Sequence, residues 1–258
     1  MLSRNKTNFL ISLQKKKVRD EEKLFVIEGD KLVKEFLFSE IPLMILIARP
    51  EFISSIPENV LNNPREIVTA GYDELKKIST LKTPHNAMAV VPMPHFNFDP
   101  DIILKGLCAA LDFIQDPGNL GTIIRAAAWF GIKNIVCSGN CVDIYNPKAV
   151  QASMGAIMHV NVFYSNLHEF LKTAGKKRVP IYGTMLEGVS IYKHNLSDMG
   201  VIILGNESKG ISDNLVPFIS DKLMIPKFTA ADKGIDSLNV GMAASVVFSE
   251  FARNREKG

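Results

Sequence analysis

From Leu107 onward the sequence repeats one pattern, a short and nearly unbroken apolar run followed by a stretch with helical spacing. The runs are Leu107–Ile114, Asn134–Ser138, Val160–Tyr164, Ile181–Met185, Val201–Leu204 and Lys222–Ile225. Helical stretches fall near 119–130, 147–157, 166–175 and 212–219, and Asn239–Asn254 closes the chain. A strand that is apolar at every position must be covered on both faces, and helices between successive strands supply that cover. The pattern predicts an α/β fold on a mostly parallel sheet with helices on both faces.

The first 95 residues read differently. Leu24–Ile27, Leu43–Ala48, Ile67–Thr69 and Ala87–Val91 are strand-like, and Asp30–Ser39 has helical spacing with Leu32, Val33, Phe36 and Leu37 on one face. Tyr72–Leu81 reads as a further helix. The stretch Pro92 to Pro100 holds three prolines and no periodicity, which marks a linker. The expected organisation is a smaller N-terminal α/β domain over 1–95, a linker over 96–106 and a larger α/β domain over 107–258.

Composition narrows the classes of function. With 258 residues, 47% of them hydrophobic and 22% charged, the chain is not disordered, collagen-like or a disulfide framework. Lys and Arg (30) nearly balance Asp and Glu (27), so the net charge of +3 neither demands nor excludes a nucleic-acid partner. The Cys137/Cys141 pair lacks the second pair a structural zinc site needs, so Cys108, Cys137 and Cys141 are read as small buried hydrophobes and no metal is expected. No apolar run reaches the ~18 residues of a membrane span. Met1 to Arg19 is basic and free of acids, as a mitochondrial presequence can be. It runs unbroken into Phe25-Val26-Ile27-Glu28-Gly29, however, and is read as a solvated basic segment opening the fold. A cytoplasmic location is expected.

Parallel sheets gather ligands at the carboxyl ends of their strands. Three polar, glycine-rich loops follow strands here: Gln115 to Thr122 with a helix carrying Arg125, Gly205-Asn206-Glu207-Ser208-Lys209-Gly210, and the polar stretch after Ile225 that ends in Asp236-Ser237-Leu238-Asn239. The absence of G-x-G-x-x-G argues against a Rossmann dinucleotide site. Gly205 to Gly210 has half of a phosphate-binding P-loop and is followed by Ile211 and Ser212, so Ile211 stands where the phosphate-holding Lys is needed.

The ordered set D-P-x-N-x-G-x-x-x-R (Asp116 to Arg125), G-N-E-x-x-G (Gly205 to Gly210) and I-P…S-L-N-V (Ile225 to Val240) resembles the three motifs of the SpoU (TrmH) ribose methyltransferases. Lys15-Lys16-Lys17-Val18-Arg19 with Phe25 to Gly29, and Leu81-Lys82-Thr83-Pro84 with Ala89-Val90-Val91, resemble the RNA-binding domain appended to some of them. The likeness covers nearly the whole chain. It implies an S-adenosylmethionine-dependent enzyme that methylates a ribose 2′-hydroxyl in structured RNA. It also implies a trefoil-knotted sheet of the SPOUT type and a homodimer whose interface borders the site. The N-terminal extension points to ribosomal RNA ahead of transfer RNA. A non-catalytic RNA-binding ribosome-assembly factor is the alternative, supported only by a third loop (Lys227 to Asp236) longer than the family's usual spacing. Gly241 stands where the family usually has serine.

By the resemblance, Arg125, Asn119, Glu207, Ser237 and Asn239 form the catalytic set. The family proposal makes Arg125 a general base; because a guanidinium is always protonated, a clamp on the target phosphate that stabilises the developing alkoxide is preferred. Asn119, Ser237 and Asn239 have a plainer alternative as helix caps, and Glu207 as a solvated turn residue. The cofactor is expected against Gly205, Asn206, Gly210, Ile225 and Leu238, with Thr184 and Met185 at the end of the preceding strand; Ile225 and Leu238 can equally be ordinary core. Lys15, Lys16, Lys17 and Arg19 are expected to contact RNA phosphates, although a charge run alone reads as a solvated face.

Overall fold

The computed structural model describes residues 2–228 and 237–255. The chain forms two compact units, the first from residues up to His95 together with Tyr145–Gly155, the second from Phe96–Ile144 and from Ala156 onward.

The first unit contains α1 (Arg4–Ser12), α2 (Lys16–Glu22), β1 (Leu24–Glu28), α3 (Asp30–Leu37), β2 (Leu43–Ala48), α4 (Pro50–Ser54), β3 (Pro64–Thr69), α5 (Tyr72–Ile78) and β4 (Ala87–Pro92). Its sheet runs β1-β4-β2-β3, with β4 antiparallel to both neighbours and β2 parallel to β3. The N-terminal segment read as solvated is in fact part of this core. Leu10 and Leu13, one helical turn apart, are 3% and 1% exposed and pack among Ile47, Leu75 and Met88. Two apolar positions in a basic run suffice because the other faces of α1 and α2 carry the charge.

The second unit holds α6 (Pro100–Ile103), β5 (Leu107–Leu111), α7 (Pro117–Trp129) and β6 (Asn134–Cys137). After β6 the chain leaves for α8 (Pro147–Ser153), which belongs to the first unit, and returns through β7 (Asn161–Tyr164), α9 (Leu167–Lys176), β8 (Ile181–Ser190), β9 (Gly200–Leu204), β10 (Asp221–Met224) and α10 (Val240–Arg255). The six strands are all parallel, in the order β10-β8-β9-β5-β6-β7. The central strands bear out the two-faced burial read from the sequence, since Cys108, Ala109, Ala110, Leu111 and Val201 to Ile203 are all 0% exposed. Side chains of one parity, such as Ala110, Val136 and Ile203, pack with Phe170, Leu171 and Leu215. Tyr182, of the other parity, meets Phe251 of α10 with ring centroids 5.0 Å apart, so α10 covers the opposite face.

Two helical expectations are corrected. Residues 212–219 form only a short 3₁₀ turn at Val216–Phe218. Pro217 cannot donate an intrahelical bond, and Leu215 is buried without help from a longer helix. The helix expected near 147–157 stops at Ser153, because Met154 (φ 50) and Gly155 (φ 85) turn left-handed. The segment around 92–100 is not featureless either. Phe96 and Phe98 pack against Phe163 at 6.3 and 5.6 Å between centroids. All three cysteines are buried, as expected. Burial pushes the Cys108 thiol up to about 12, whereas a hydrogen bond from Cys137 pulls Cys141 down to about 7.

Candidate active site

The site lies at the carboxyl ends of four adjacent strands, β10, β8, β9 and β5. Asp112, directly after β5, is 5% exposed, and its carboxylate accepts the Ser212 N–H at 2.7 Å. That bond ties the exit of β5 to the far end of the β9 loop. The sequence offered one signal for it, a lone acid closing an apolar strand.

Asp116 caps α7, accepting the Asn119 N–H at 2.8 Å, and Pro117 occupies the first turn, where a missing donor costs nothing. The cap is therefore not Asn119, whose side chain is free to reach outward. Its Nδ2 donates to the Glu207 carboxylate and its Oδ1 accepts the Asn239 Nδ2 at 2.9 Å. Asn239 does two things at once, because its Oδ1 also accepts the N–H groups of Gly241 (3.0 Å) and Met242 (3.3 Å) at the start of α10. One amide thus links the β5, β9 and α10 segments.

Arg125 sits farther along α7, exposed, with no hydrogen bond or ion pair to any described residue. Thr122, Arg125 and Trp129 are exposed at i, i+3 and i+7, one face of the helix. Ser237 and Leu238 are exposed beside Asn239, Leu238 at 47%. Residues 229–236 of the long third loop lie outside the described residues.

Gly205-Asn206-Glu207-Ser208-Lys209-Gly210 closes on itself. Asn206 and Gly210 exchange backbone hydrogen bonds at 3.0 and 2.9 Å, and Asn206 Oδ1 accepts from Ser208 and Lys209. Gly210 takes φ 71 to make the turn, and a Cβ on Gly205 would lie 2.5 Å from the Gly210 oxygen and the Ile211 nitrogen. Thr184 Oγ1 donates to the Ile203 carbonyl at 2.8 Å, holding β8 to β9 just past their last paired residues, Gly183 and Ile203. The register of β10 then jumps from Gly183 to Val189, so Thr184 to Gly188 loop out unpaired on that side. Met185 is partly buried against the core, Ile225 is half-buried, and Gly241 gives α7 and α10 their close approach, since a Cβ there would meet Thr122 Cγ2 at 2.9 Å.

The expected RNA-contacting set is split by the structure. Lys15, Lys16 and Lys17 are exposed, Lys16 and Lys17 pairing along α2 with Asp20 (2.5 Å) and Glu21 (3.9 Å). Arg19 is not available to a phosphate. It is 2% exposed, and its Nη1 donates to the carbonyls of Leu13 (2.9 Å) and Gln14 (2.7 Å) just beyond α1. Unsatisfied carbonyls after a helix end attract a buried cation, and charge counting along the sequence cannot see that demand.

The family model described as SpoU rRNA Methylase family matches residues 106–249, and that of the MRM3-like substrate binding domain matches residues 5–89. The chain is 29% identical over 236 residues to the 23S rRNA (guanosine(2553)-2'-O)-methyltransferase RlmP of Bacillus subtilis, covering 91% of each. Among solved structures it resembles an RNA methyltransferase of the TrmH family from Porphyromonas gingivalis, at 35% identity and TM-score 0.85 over 98% of this chain and 99% of that one. It also resembles an S-adenosylmethionine-bound rRNA methyltransferase from Sinorhizobium meliloti, at 25% identity and TM-score 0.83 over 98% and 96%.

Proposed function

Because the chain belongs to the SpoU rRNA methylase family, we propose that it methylates a ribose 2′-oxygen of ribosomal RNA, consuming S-adenosylmethionine. One observation carries this reading. Asn119 is held between Glu207 and Asn239 where three motif segments meet, and the guanidinium of Arg125 is left without a protein partner among the described residues. The residues fit the cofactor. The turn at Gly205 has no room for a side chain, and exposed Leu238 offers an apolar surface to an adenine. Gly205, Asn206, Gly210, Ile225, Leu238, Thr184 and Met185 would hold it, and bound there it supplies the sulfonium methyl group.

The chain's own residues have the remaining tasks. Arg125 is permanently charged and unspent, so it is suited to grip a phosphate and to stabilise negative charge developing on the 2′-oxygen. Asn119, fixed at both ends of its amide by Glu207 and Asn239, positions the ribose, and Ser237 stands two residues before Asn239. Alignment of oxygen and methyl supplies much of such a rate, so few polar groups are required. Ribosomal RNA is favoured over transfer RNA by the substrate-binding family of the first unit and by the named activity of the Bacillus relative. A cytoplasmic location is part of this reading, supported by the bacterial source of that relative.

The test is transfer of labelled methyl to unmodified RNA. Label recovered as a 2′-O-methyl nucleoside from ribosomal RNA is the expected result; label on a base would sink the ribose assignment, and label on transfer RNA alone would move the substrate.

The active form is a homodimer in this reading, and its sheet carries the family's trefoil knot. For the knot, the support is that Asn239, following an edge strand three places from β5, returns to Asn119 at the start of α7. For the dimer it is the α7–α10 face, where Trp129 is 83% exposed and Met242 64%. Trp129→Glu is expected to give a monomer in sedimentation with methyl transfer reduced about tenfold or more, since a buried interface aromatic is commonly worth 2 kcal/mol or more. A Trp129→Glu protein that sediments and works as wild type would remove this face from the interface.

A further inference from the structure

The chain leaves β5 through a residue in a conformation that aromatic side chains avoid. Phe113 has φ 62, in the left-handed region normally taken by Gly, Asn or Asp. Its N–H donates to Ser138 Oγ at 3.0 Å, and its carbonyl accepts Asn206 Nδ2 at 3.0 Å. The Lys209 ammonium lies 5.2 Å from the ring centroid. A strained residue persists only where its surroundings hold it, and such residues concentrate at binding sites. Both Asn206 and Lys209 belong to the loop whose Glu207 holds Asn119, so this half-buried ring is fastened to the segment that reaches the candidate active site.

Enzymes that act on a ribose within folded RNA need the nucleotide splayed from its neighbours, and an aromatic face is the usual support for a base so exposed. We infer that Phe113 is a stacking platform for an unpaired RNA base beside the methylated ribose, and that Lys209 passes from the ring to the adjoining phosphate when the base arrives. The assignment rests on the chain being an RNA ribose methyltransferase. In the free protein the ammonium keeps the ring face covered. A cation over an exposed ring is held weakly, whereas a base stacks on the same face more strongly and brings a phosphate for the released charge. Phe113 is thus a substrate-positioning residue whose strained backbone presents its ring to RNA.

The test uses the full chain with in vitro transcribed, unmodified ribosomal RNA. Phe113→Gly and Phe113→Asn delete the ring while keeping residue types that accept φ near 60. Both are expected to raise KM for RNA about tenfold or more, with S-adenosylmethionine affinity by calorimetry within about twofold of wild type. Phe113→Tyr is expected to restore the wild-type KM. Lys209→Ala is expected to weaken RNA binding and to lower its salt slope by about one. An RNA KM unchanged in both ring-deleted variants, or a cofactor affinity that falls as far as the RNA affinity, would overturn the platform. If wild type methylates no RNA, the enzyme reading fails and the platform falls with it; an active wild type with insensitive Phe113 variants overturns the platform alone.

Discussion

Arg125→Ala is expected to lower the rate of methyl transfer by about 10²–10³-fold, the usual cost of removing one donor aimed at developing oxyanion charge. Neither fold nor cofactor binding should suffer. Arg125 is exposed and spends no hydrogen bond on any described residue, so its removal should change stability by no more than about 0.5 kcal/mol. S-adenosylmethionine affinity should stay within about twofold, since the cofactor set lies on other loops. The informative companion is Arg125→Lys. A lysine keeps the charge and loses the planar fork, so a two-pronged grip on phosphate predicts an enzyme nearly as slow as Arg125→Ala. Single-turnover kinetics at saturating cofactor separate the cases; a lysine variant at near-wild-type rate would reduce the role of Arg125 to charge alone.

The second large effect is structural in origin. Gly205→Ala places a Cβ 2.5 Å from the Gly210 oxygen and the Ile211 nitrogen, atoms of backbone with no rotamer to change. Relief requires parting the Asn206–Gly210 pair, and overpacking of this kind costs about 1–3 kcal/mol or more. At this chain length that lowers Tm by roughly 2–4 °C per kcal/mol. The same movement disturbs Asn206, Glu207 and hence Asn119, so cofactor affinity and turnover should both fall by about tenfold or more. Gly210→Ala makes the contrast. Its Cβ would meet nothing within 4 Å, leaving only the left-handed penalty of about 1–2 kcal/mol. Calorimetric titration and thermal unfolding of the two variants should rank Gly205 well above Gly210; equal effects would mean that the loop tolerates opening.

How much of this could be read from residues alone follows from what each feature depends on. Burial on both faces writes itself into every position of a strand, and so β5, β6 and β9 were visible as apolar runs. The motif loops were visible because they need particular residue types at fixed spacing. Bonds between segments were not. The lone acid closing an apolar strand marks Asp112 as unusual, but it does not foretell that Asn206 and Ser212, about a hundred residues later, satisfy the Phe113 carbonyl and the Asp112 carboxylate. Arg19 reads as one more exposed cation for the same reason, because its carbonyl partners become a set only where α1 ends beside it. The looped-out stretch Thr184 to Gly188 was hidden because it carries Met185 and Leu186, which continue the apolar run of β8 past the point where pairing with β10 breaks.

The departure of the chain at Tyr145 and its return at Ala156 has a consequence for biogenesis. The ring of Phe25, 2% exposed, has Tyr145 packed 4.7 Å away within the first unit, so that core is unfinished when His95 is joined to the chain. Another sixty or so residues must be synthesised before Gly155 exists, roughly 3–12 s at ordinary elongation rates. During that interval the nascent N-terminal segment waits beside the ribosome with an apolar surface uncovered, and a gene cut at the apparent boundary would leave it so permanently.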